Sequence, residues 1–559
     1  MGTISDKLMR IINTKEDIRQ ALISKGYDVP TSIPFKEYAK MILDLPCNAD
    51  SFPDIEGIVA RYSASGLTNE QMAANPVWVD KTGNGHDLQM KNLSWKGMSG
   101  VGGYGDENHQ TFYKFTLDDY VFIATPPGVK HMNFTFRVTG LQPGNKLTLA
   151  FFGTTNTVYG TWNKDGIYTV DADIVEAGKP TYFYNGYGAT RGEFTIEILP
   201  LYPGALVFDG VDDYGVCDNF PILTKEKGYT VVALRQWIEE KNDSTALVSN
   251  CKNWGQDGAF LFEYNNLRIN FLNVAISFGH VSSVDRGKSP FSYQTSKLYN
   301  GKNIEPGSFI GSNELVVGKG NKDFPTVSKV AIWELIILDH DATEEELTKI
   351  KDYFVKTYPW LFPDQAWTVV GKTNEDKDRA TIANITGNGN DLILSNFGFI
   401  EGSGYNEEGE YAGYLVTDGV DDKAVSKQFK FGKNFTVILD FKFPVKKISY
   451  CGFDLSSKVR IQNLQGSGVY VVLKGNKTLI PSNVVRAVTS EGKVYDENWN
   501  EYNIVPGNIS SNYTMVNLGF DGSNQFAESA TKLAGIYSSA LSKDDCIKAY
   551  NYLQTLKSK

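Results

Sequence analysis

The sequence predicts a mainly β protein that contains two copies of one β-rich unit. A small β-sandwich is inserted into the first copy, and a short helical segment precedes it. Three markers occur twice in the same order. They are a turn motif at 209–213 and 418–422, a glycine-rich string at 80–88 and 384–392, and a capped helix that starts near 343 and near 542. Because this repeat is much longer than a solenoid repeat, each copy is expected to be a whole domain.

The turn motif reads Asp-Gly-Val-Asp-Asp in both copies, and a short apolar stretch leads into each. Glycine adopts positive φ without steric cost and an aspartate side chain bonds the nearby backbone, so Asp-Gly favours a tight turn. The motif therefore predicts a strand, a turn and a second strand, with Gly210 equivalent to Gly419. The glycine-rich string makes Gly83 equivalent to Gly387 in the same way.

Each copy ends in a predicted amphipathic helix. Thr343 and Ser542 are hydroxyl residues at N-cap positions, and an acid follows each three residues later, as in a capping box. Apolar residues then recur at the spacing of one helix face, which predicts a buried face made of Leu347, Ile350 and Phe354 in the first copy and Cys546, Ala549 and Leu553 in the second.

The glycine-rich string and the turn motif are much farther apart in the first copy than in the second, because an insertion lies between them in the first copy. It covers residues 107–202 and has its own alternation of apolar and polar residues, at 134–138, 147–152 and 195–198. A Gly/Pro turn at 140–144 separates the first two of these stretches. Strands at this spacing predict a small β-sandwich.

Residues 1–45 have a helical pattern instead. Three short helices are predicted there, and their apolar stripes include Ile18, Leu22, Phe35, Tyr38 and Ile42. Helices of this length are marginal in isolation, so these five side chains are expected to be buried against a partner surface. Residues 46–57 contain Pro, Asn, Asp and Gly and are expected to form a linker.

Two stretches resemble known families. Ala-Leu-Val-Phe-Asp-Gly-Val-Asp-Asp-Tyr-Gly-Val at 205–216, followed by Tyr-Thr-Val-Val-Ala at 229–233, resembles laminin-G-like jelly rolls of the concanavalin type. The second copy resembles them less closely, because Thr417 replaces the usual Phe. The segment 14–39 resembles the N-terminal helical module of structural proteins from crAss-like phages of gut Bacteroidales. That resemblance implies a virion fibre or tail appendage, in which such modules precede jelly-roll or sandwich domains.

These observations predict five parts of the chain. They are a helical anchoring module at 1–45, a linker at 46–57, a first laminin-G-like jelly roll at 58–106 and 203–362, an inserted β-sandwich at 107–202, and a second jelly roll at 366–557. The anchoring module is expected to make the protein a homo-oligomer, a dimer or a trimer, and to bind other capsid or tail proteins.

The composition limits the possible partners. The 559 residues carry a net charge of −10, which excludes a broad electrostatic footprint for nucleic acid or acidic membranes. No apolar run is long enough to span a bilayer, and the first residues show no signal peptide. Five dispersed cysteines without a Cys-x-x-Cys pair favour isolated reduced thiols. The expected location is the virion surface, after synthesis in the bacterial cytoplasm.

Catalytic motifs are missing from the sequence. It contains no Gly-x-Ser-x-Gly elbow, phosphate loop or His-Glu-x-x-His zinc motif. Residues 171–176, Asp-Ala-Asp-Ile-Val-Glu, resemble the acidic strand of jelly-roll glycoside hydrolases, in which two carboxyl groups serve as acid and nucleophile. The first acid is the shorter Asp, however, and the stretch lies in the insertion. The sequence therefore predicts that the chain is not an enzyme and has no cofactor.

The acidic turns offer a second kind of chemistry. Asp209, Asp212 and Asp213 could supply hard oxygen ligands to Ca²⁺, as could their equivalents in the second copy. The alternative is that these carboxylates accept hydrogen bonds from amides of their own turns. We expect the structural role and no metal.

The resemblances together predict a phage structural protein, a head or tail fibre or appendage, that adheres to a host-surface or mucus glycan. Aromatic rings would stack on sugar faces, and the candidates are Tyr159, Trp162, Tyr184, Tyr187 and Trp254. Core packing is the alternative for each of them. Two other functions stay open, namely a glycan-degrading jelly-roll enzyme of the particle and a non-binding structural spacer or decoration protein.

Overall fold

The computed structural model of the chain describes residues 52–556 apart from short segments, together with Lys15 and Arg19. The longest segments left out are 105–111, 124–130, 186–193, 282–288 and 304–311. The predicted anchoring residues Ile18, Leu22, Phe35, Tyr38 and Ile42 lie outside the described residues, so the predicted helical module stays a prediction.

The first jelly roll begins with four strands and a short helix. They are β1 (Ile58–Ser63), α1 (Asn69–Ala74), β2 (Val77–Trp78), β3 (Leu88–Lys91) and β4 (Gly100–Val101). The Thr68 hydroxyl caps α1 by accepting the backbone N–H of Gln71 at 3.2 Å. In β3, Leu88 and Met90 are buried while Gln89 and Lys91 are exposed, as expected for a strand with one face against a core.

The inserted segment forms two antiparallel four-stranded sheets. Its strands are β5 (Phe112–Phe115), β6 (Tyr120–Ile123), β7 (His131–Thr139), β8 (Leu147–Phe151), β9 (Thr157–Trp162), β10 (Gly166–Asp173), β11 (Thr181–Asn185) and β12 (Phe194–Ile198). The strand orders are β10-β7-β12-β5 and β6-β11-β8-β9. Phe136, Leu149, Phe183 and Ile196 belong to the apolar core of this sandwich.

The first jelly roll continues after the insertion. Its strands are β13 (Leu206–Asp209), β14 (Tyr214–Cys217), β15 (Thr230–Glu239), β16 (Asp243–Thr245), β17 (Val248–Asn253), β18 (Asp257–Phe262), β19 (Asn265–Asn266), β20 (Asn270–Asn273), β21 (Gly279–Val281), β22 (Phe291–Thr295), β23 (Leu298–Tyr299), β24 (Lys302–Asn303), β25 (Leu315–Val317) and β26 (Lys329–Leu338). Helix α2 (Glu344–Thr357) follows. Sheet A has the order β24-β23-β22-β15-β26-β13-β4, with β1 also paired to β26, and sheet B has the order β18-β17-β25-β14-β3-β2.

The second jelly roll contains the remaining strands. They are β27 (Gln365–Thr368), β28 (Thr381–Ile382), β29 (Leu392–Ser395), β30 (Gly404–Tyr405), β31 (Leu415–Asp418), β32 (Lys423–Val425), β33 (Phe429–Phe431), β34 (Thr436–Lys442), β35 (Ser449–Leu455), β36 (Val459–Asn463), β37 (Val469–Leu473), β38 (Asn476–Ile480), β39 (Val484–Thr489), β40 (Lys493–Asp496), β41 (Glu501–Asn503), β42 (Asn512–Thr514), β43 (Val516–Leu518) and β44 (Glu528–Tyr537), followed by helix α3 (Lys543–Gln554). Two 3₁₀ turns lie at Pro359–Leu361 and Gly409–Tyr411. Sheet C has the order β30-β31-β44-β34-β39-β40-β41, with β27 paired to β44, and sheet D has the order β28-β29-β32-β43-β35-β36-β37-β38.

The two jelly rolls share one topology. Read from β4, sheet A follows the same path as sheet C read from β30, and the order β2-β3-β14-β25-β17-β18 corresponds to β28-β29-β32-β43-β35-β36. Gly210 and Gly419 have φ of +77° and +76°, and Gly83 and Gly387 have φ of +78° and +79°. The predicted fold class, mainly β with two jelly rolls and an inserted β-sandwich, is confirmed.

Helix α3 begins at the predicted cap and packs on sheet C. The Ser542 hydroxyl accepts the N–H of Asp545 at 3.1 Å and donates to its carboxylate at 2.8 Å. Cys546, Ala549 and Leu553 are all buried, as the helical spacing predicted. Gly535 on β44 allows this close packing, because a Cβ there would lie 2.5 Å from Leu553 Cδ1.

Residues Glu56–Glu344 and Phe354–Lys559 form one compact unit, which contains both jelly rolls and the insertion. The middle of α2, Glu345–Tyr353, belongs to a separate unit. In that unit the rings of Phe52 and Tyr353 meet edge to face, with centroids 5.0 Å apart, and Lys349 pairs with Glu345 at 2.8 Å.

Among the described residues, no helix has the length and hydropathy of a membrane span. The four described cysteines, Cys217, Cys251, Cys451 and Cys546, are buried free thiols.

Candidate functional site

The Asp-Gly-Val-Asp-Asp turns use their acids as hydrogen-bond acceptors. The Asp213 carboxylate accepts the backbone N–H of Asp209 at 2.9 Å and the Ser99 hydroxyl at 3.0 Å. In the second copy, Asp422 accepts the N–H of Asp418 at 2.9 Å. Oxygen atoms of Asp209, Asp212 and Asp213 lie within 4.8 Å of one another, so this group also has the spacing of a metal site. The structural role of these acids stays a prediction.

Burial and the neighbouring acids raise the pKa of Asp213 to about 7 and that of Asp422 to about 6. An acid with a raised folded-state pKa stabilises the fold while the pH is below its unfolded value, and this contribution is lost as the pH rises through the folded value. We therefore expect the melting temperature of the wild type to fall as the pH rises from about 4 to about 7, and Asp213→Asn to reduce that fall. Differential scanning fluorimetry over this range measures it.

Binding of Ca²⁺ by these acids would change the melting temperature in a different way. Bound Ca²⁺ would keep these carboxylates ionised and would add binding free energy to the folded state. A calcium-dependent rise of several degrees in the melting temperature, abolished by Asp212→Asn, would contradict the structural role. Asp339→Asn, at an exposed acid of the same jelly roll, is the control variant.

The aromatic residues predicted to stack on sugars do not form one group in the structure. Trp162 packs against the core of the insertion, with ring centroids 4.8 Å from Phe136 and 5.5 Å from Tyr168. Tyr159 is half-buried beside the same core, and its hydroxyl accepts the N–H of Val175 at 3.2 Å. Tyr184 lies on β11 and is half-buried. Tyr187 and Trp254 lie outside the described residues, and a sugar contact by any of the five stays a prediction.

A polar cluster lies on the outer face of sheet D. Residues of β35, β36 and β43 alternate, so Phe453, Ile461 and Leu518 point into the core of the second jelly roll. The residues between them face away from that core. The strand register places Asp454 opposite both Arg460 and Asn517. We call Asp454, Arg460 and Asn517 the outer-face cluster.

The three side chains of this cluster bond one another. Arg460 Nε donates to Asp454 Oδ1 at 3.3 Å, and Asn517 Nδ2 donates to Asp454 Oδ2 at 3.2 Å. The Asp454 side chain is 2% exposed, whereas Arg460 is 28% exposed. Asn517 Oδ1 is buried and has no hydrogen-bond partner among the described residues. The cluster therefore consists of a partly exposed Arg460 side chain that is held by a buried carboxylate and a buried amide.

The first jelly roll has different residues at the same positions. On sheet B, Ser249 lies opposite both Leu261 and Val316, in the register that Asp454 has with Arg460 and Asn517. All three are at most 1% exposed. The same fold is thus built with mainly apolar residues at these positions. Burying a charge is costly unless it is paired and hydrogen-bonded, so the polar cluster of the second copy is not a requirement of the fold.

Two partly exposed aromatic rings, Phe520 and Phe526, follow Asn517 in the chain. They stack with centroids 6.0 Å apart, and Lys423 Nζ lies 5.8 Å from the Phe520 ring. Between them, the Gln525 N–H donates to the Asp521 carboxylate at 3.2 Å. Polar groups and apolar rings are together the usual make-up of a small-ligand site.

The outer-face cluster could not be predicted from the sequence. Its members come from three strands, and no motif joins them. The two copies do have different residues at these positions. That difference can be recognised only when β17, β18 and β25 are aligned with β35, β36 and β43 by strand register.

No family model matches the chain, and no curated protein is similar to it. Solved structures that the chain matches weakly include the sialidase of Trypanosoma rangeli, at a TM-score of 0.27 and 9% identity over 50% of this chain and 51% of that one. The same sialidase in complex with sialic acid has a TM-score of 0.26 and 10% identity over 79% of this chain and 82% of that one. A GH54 α-L-arabinofuranosidase has 0.24 and 15%, over 32% and 50%. The chain thus spans about half the length of two of these three proteins.

These neighbours correct one prediction. Their names, sialidase and arabinofuranosidase, are those of enzymes that act on glycans, which contradicts the prediction that this chain is not an enzyme. That prediction rested on the missing acid pair, and we do not retain it. With identities of 9–15% and TM-scores of 0.24–0.27, the likeness assigns no activity, substrate or catalytic residue to this chain.

Proposed function

We propose that this chain is a glycan-binding protein of a phage particle, and that the outer-face cluster of Asp454, Arg460 and Asn517 is its binding site. One observation carries the proposal. The second jelly roll keeps a buried carboxylate, a guanidinium and an amide where the first jelly roll has Ser249, Leu261 and Val316. Because the fold does not need these polar groups, we assign them to ligand binding.

The chemistry of the cluster suits a polyhydroxylated ligand. The partly exposed Arg460 guanidinium can donate several hydrogen bonds in a fixed plane, and the buried Asp454 carboxylate holds it in position. Phe520, three residues after Asn517, is a partly exposed ring, and aromatic side chains are common in the lining of small-ligand sites.

The location on a particle rests on the resemblance of residues 14–39 to the helical module of crAss-like phage structural proteins. In this proposal the module holds the protein on the virion, together with sister chains, and the jelly rolls face outward. Mass spectrometry of purified particles tests it, and particles that lack this chain would contradict it.

Exchanging the cluster for the residues of the sister copy tests the binding site. The triple variant Asp454→Ser, Arg460→Leu and Asn517→Val reproduces residues that the same sheet accepts in the first jelly roll, so we expect it to fold. We expect glycan-array binding to fall at least tenfold, because hydrogen bonds to charged groups contribute about 1.5–3 kcal/mol each. The control Tyr513→Ser removes an exposed ring from β42, outside sheet D, and should bind as the wild type does.

Two outcomes would overturn this proposal. One is a wild-type protein that binds no glycan on the array, and the other is a triple variant that binds as tightly as the wild type. Chromatography of the bound glycans after incubation separates binding from degradation, since shortened products would identify the enzymatic alternative.

A further inference from the structure

A cavity of about 250 Å³ lies where the insertion, the first jelly roll and helix α3 meet. The insertion contributes Thr135 on β7, Thr169 on β10 and Tyr202, and the first jelly roll contributes Ile238. Asn551, Gln554 and Thr555 line it from the second jelly roll. We call this space the junction cavity.

Hydrogen bonds between the domains hold its walls. The Thr135 hydroxyl donates to Asn551 Oδ1 at 3.3 Å and shares a hydrogen bond with Thr169 Oγ1 at 3.0 Å. Gln236 Nε2 on β15 donates to Thr555 Oγ1 at 2.7 Å. The cavity is therefore a built feature with polar contacts across two interfaces, and it holds groups from all three domains in one place.

One amide side chain of the wall is fixed by a buried carboxylate. Gln554 lines the cavity, and its Nε2 donates to Asp440 Oδ2 at 3.0 Å. The hydroxyls of Thr135, Thr169 and Thr555 and the amide of Asn551 are further hydrogen-bonding groups of the lining. An occupant that forms hydrogen bonds therefore matches this wall better than a purely apolar one.

The lining is neutral throughout. It consists of threonine hydroxyls, one asparagine and one glutamine amide, tyrosine rings and two aliphatic side chains, with no acid or base among them. A ligand with a net charge would lose its hydration here without gaining an ion pair. Hydroxyl groups on a compact apolar frame match both the hydroxyl and amide groups of the lining and its ring and aliphatic walls.

We infer that the junction cavity binds one neutral sugar unit. Its volume equals that of roughly eight water molecules at about 30 Å³ each, which suits a single pyranose ring with its hydroxyls. The site is separate from the outer-face cluster and does not rest on the proposed function. Because its walls come from three domains, an occupant would also stabilise the contacts between them.

Saturation-transfer NMR on the full chain tests the inference. The probes are glucose, galactose and N-acetylglucosamine as neutral sugars, and glucuronic acid and N-acetylneuraminic acid as anionic ones. We expect a saturable signal from at least one neutral sugar and none from the acids. Thr169→Leu fills the cavity and should weaken this binding at least tenfold.

The insertion offers a matched control. Thr161 on β9 shares a hydrogen bond with Thr148 at 3.3 Å, as Thr169 does with Thr135, but it is exposed and does not line the cavity. Thr161→Leu should therefore leave the sugar signal unchanged. If Thr169→Leu does not fold, Ile238→Phe narrows the cavity from the wall of the first jelly roll and replaces it in the test.

Several results would overturn the inference. They are no saturable signal from any neutral sugar, a signal that Thr169→Leu or its replacement leaves unchanged, and equal binding of the acidic sugars. Loss of the signal in the outer-face triple variant would place the sugar at that cluster instead. If the wild-type protein binds no glycan on the array but still gives the NMR signal from a neutral sugar, only the proposed function is contradicted.

Discussion

Glu263→Ala is expected to destabilise the first jelly roll by about 3–5 kcal/mol, the usual cost of removing one partner of a buried ion pair. The Glu263 and Arg235 side chains are 0% and 2% exposed. Arg235 Nε donates to Glu263 Oε2 at 2.8 Å, and Trp237 Nε1 donates to the same oxygen at 2.7 Å. Loss of the carboxylate leaves the guanidinium buried without its counter-charge, and leaves the indole N–H without its acceptor.

The pH dependence of this effect has a defined sign. Burial opposes ionisation of Glu263, but the charge of Arg235 and hydrogen bonds from Arg235, Ser292 and Trp237 outweigh it and hold the pKa below its usual value. The ionised pair therefore contributes stability above the unfolded pKa, and this contribution is lost as the pH falls through the folded pKa. The difference in stability between wild type and variant should shrink on acidification.

Calorimetry with separate assignment of the domain transitions measures this prediction, since a multidomain chain is not two-state. The transition of the first jelly roll should fall by roughly 6–20 °C, at about 2–4 °C per kcal/mol for a domain of this size. The control is Lys227→Ala, which breaks an ion pair with Asp339 whose partners are 68% and 38% exposed, and should cost at most about 1 kcal/mol. Equal shifts in the two variants would show that the buried pair has no special role.

Asp440→Ala is expected to have an effect of similar size on the second jelly roll. Asp440 Oδ1 accepts the Tyr414 hydroxyl at 2.9 Å and a bond from Arg486. Its Oδ2 accepts the Tyr550 hydroxyl at 3.1 Å and Gln554 Nε2 at 3.0 Å, both from α3. Burial opposes the charge of Asp440, but Arg486, Lys532 and Lys442 lower its pKa below the usual value.

Removing this carboxylate leaves the Arg486 guanidinium buried, which costs about 3–5 kcal/mol, and breaks two hydrogen bonds that join α3 to sheet C. We therefore expect faster hydrogen exchange in α3 as well as a lower transition temperature of the second jelly roll. The control is Lys493→Ala at the partly exposed pair with Glu501, which should change neither. Unchanged protection of α3 in Asp440→Ala would contradict the anchoring role of this carboxylate.

Local features followed from the sequence. The repeated turn motif predicted equivalent turns, and Gly210 and Gly419 share a positive φ because only glycine adopts it without strain. Ser542 caps α3 because a hydroxyl followed three residues later by an acid satisfies the first free N–H groups of a helix. In both cases the interacting atoms are within a few residues of one another, so the sequence alone carries the information.

The role of the aromatic residues did not follow from the sequence. Tyr159 and Trp162 are three residues apart on β9, so simple strand alternation would place them on opposite faces, and it does not say which face is buried. The pairing of β9 with β8 contains a register shift at Tyr159, and both rings lie beside the core of the insertion. In the structure Trp162 packs beside Phe136. Only the packing of one sheet on the other shows whether a ring in such a strand faces a core or solvent.

By itself the sequence determined the duplication, the mainly β fold class, the glycine turns and the caps, since short-range sterics and residue alternation decide these. Tertiary structure alone decided which residues meet at a site. Asp454, Arg460 and Asn517 are neighbours because of the strand register of sheet D. Thr135 and Asn551 meet only because the domains pack together. Register and docking depend on the summed burial of many side chains far apart in the chain, and no local pattern encodes that sum.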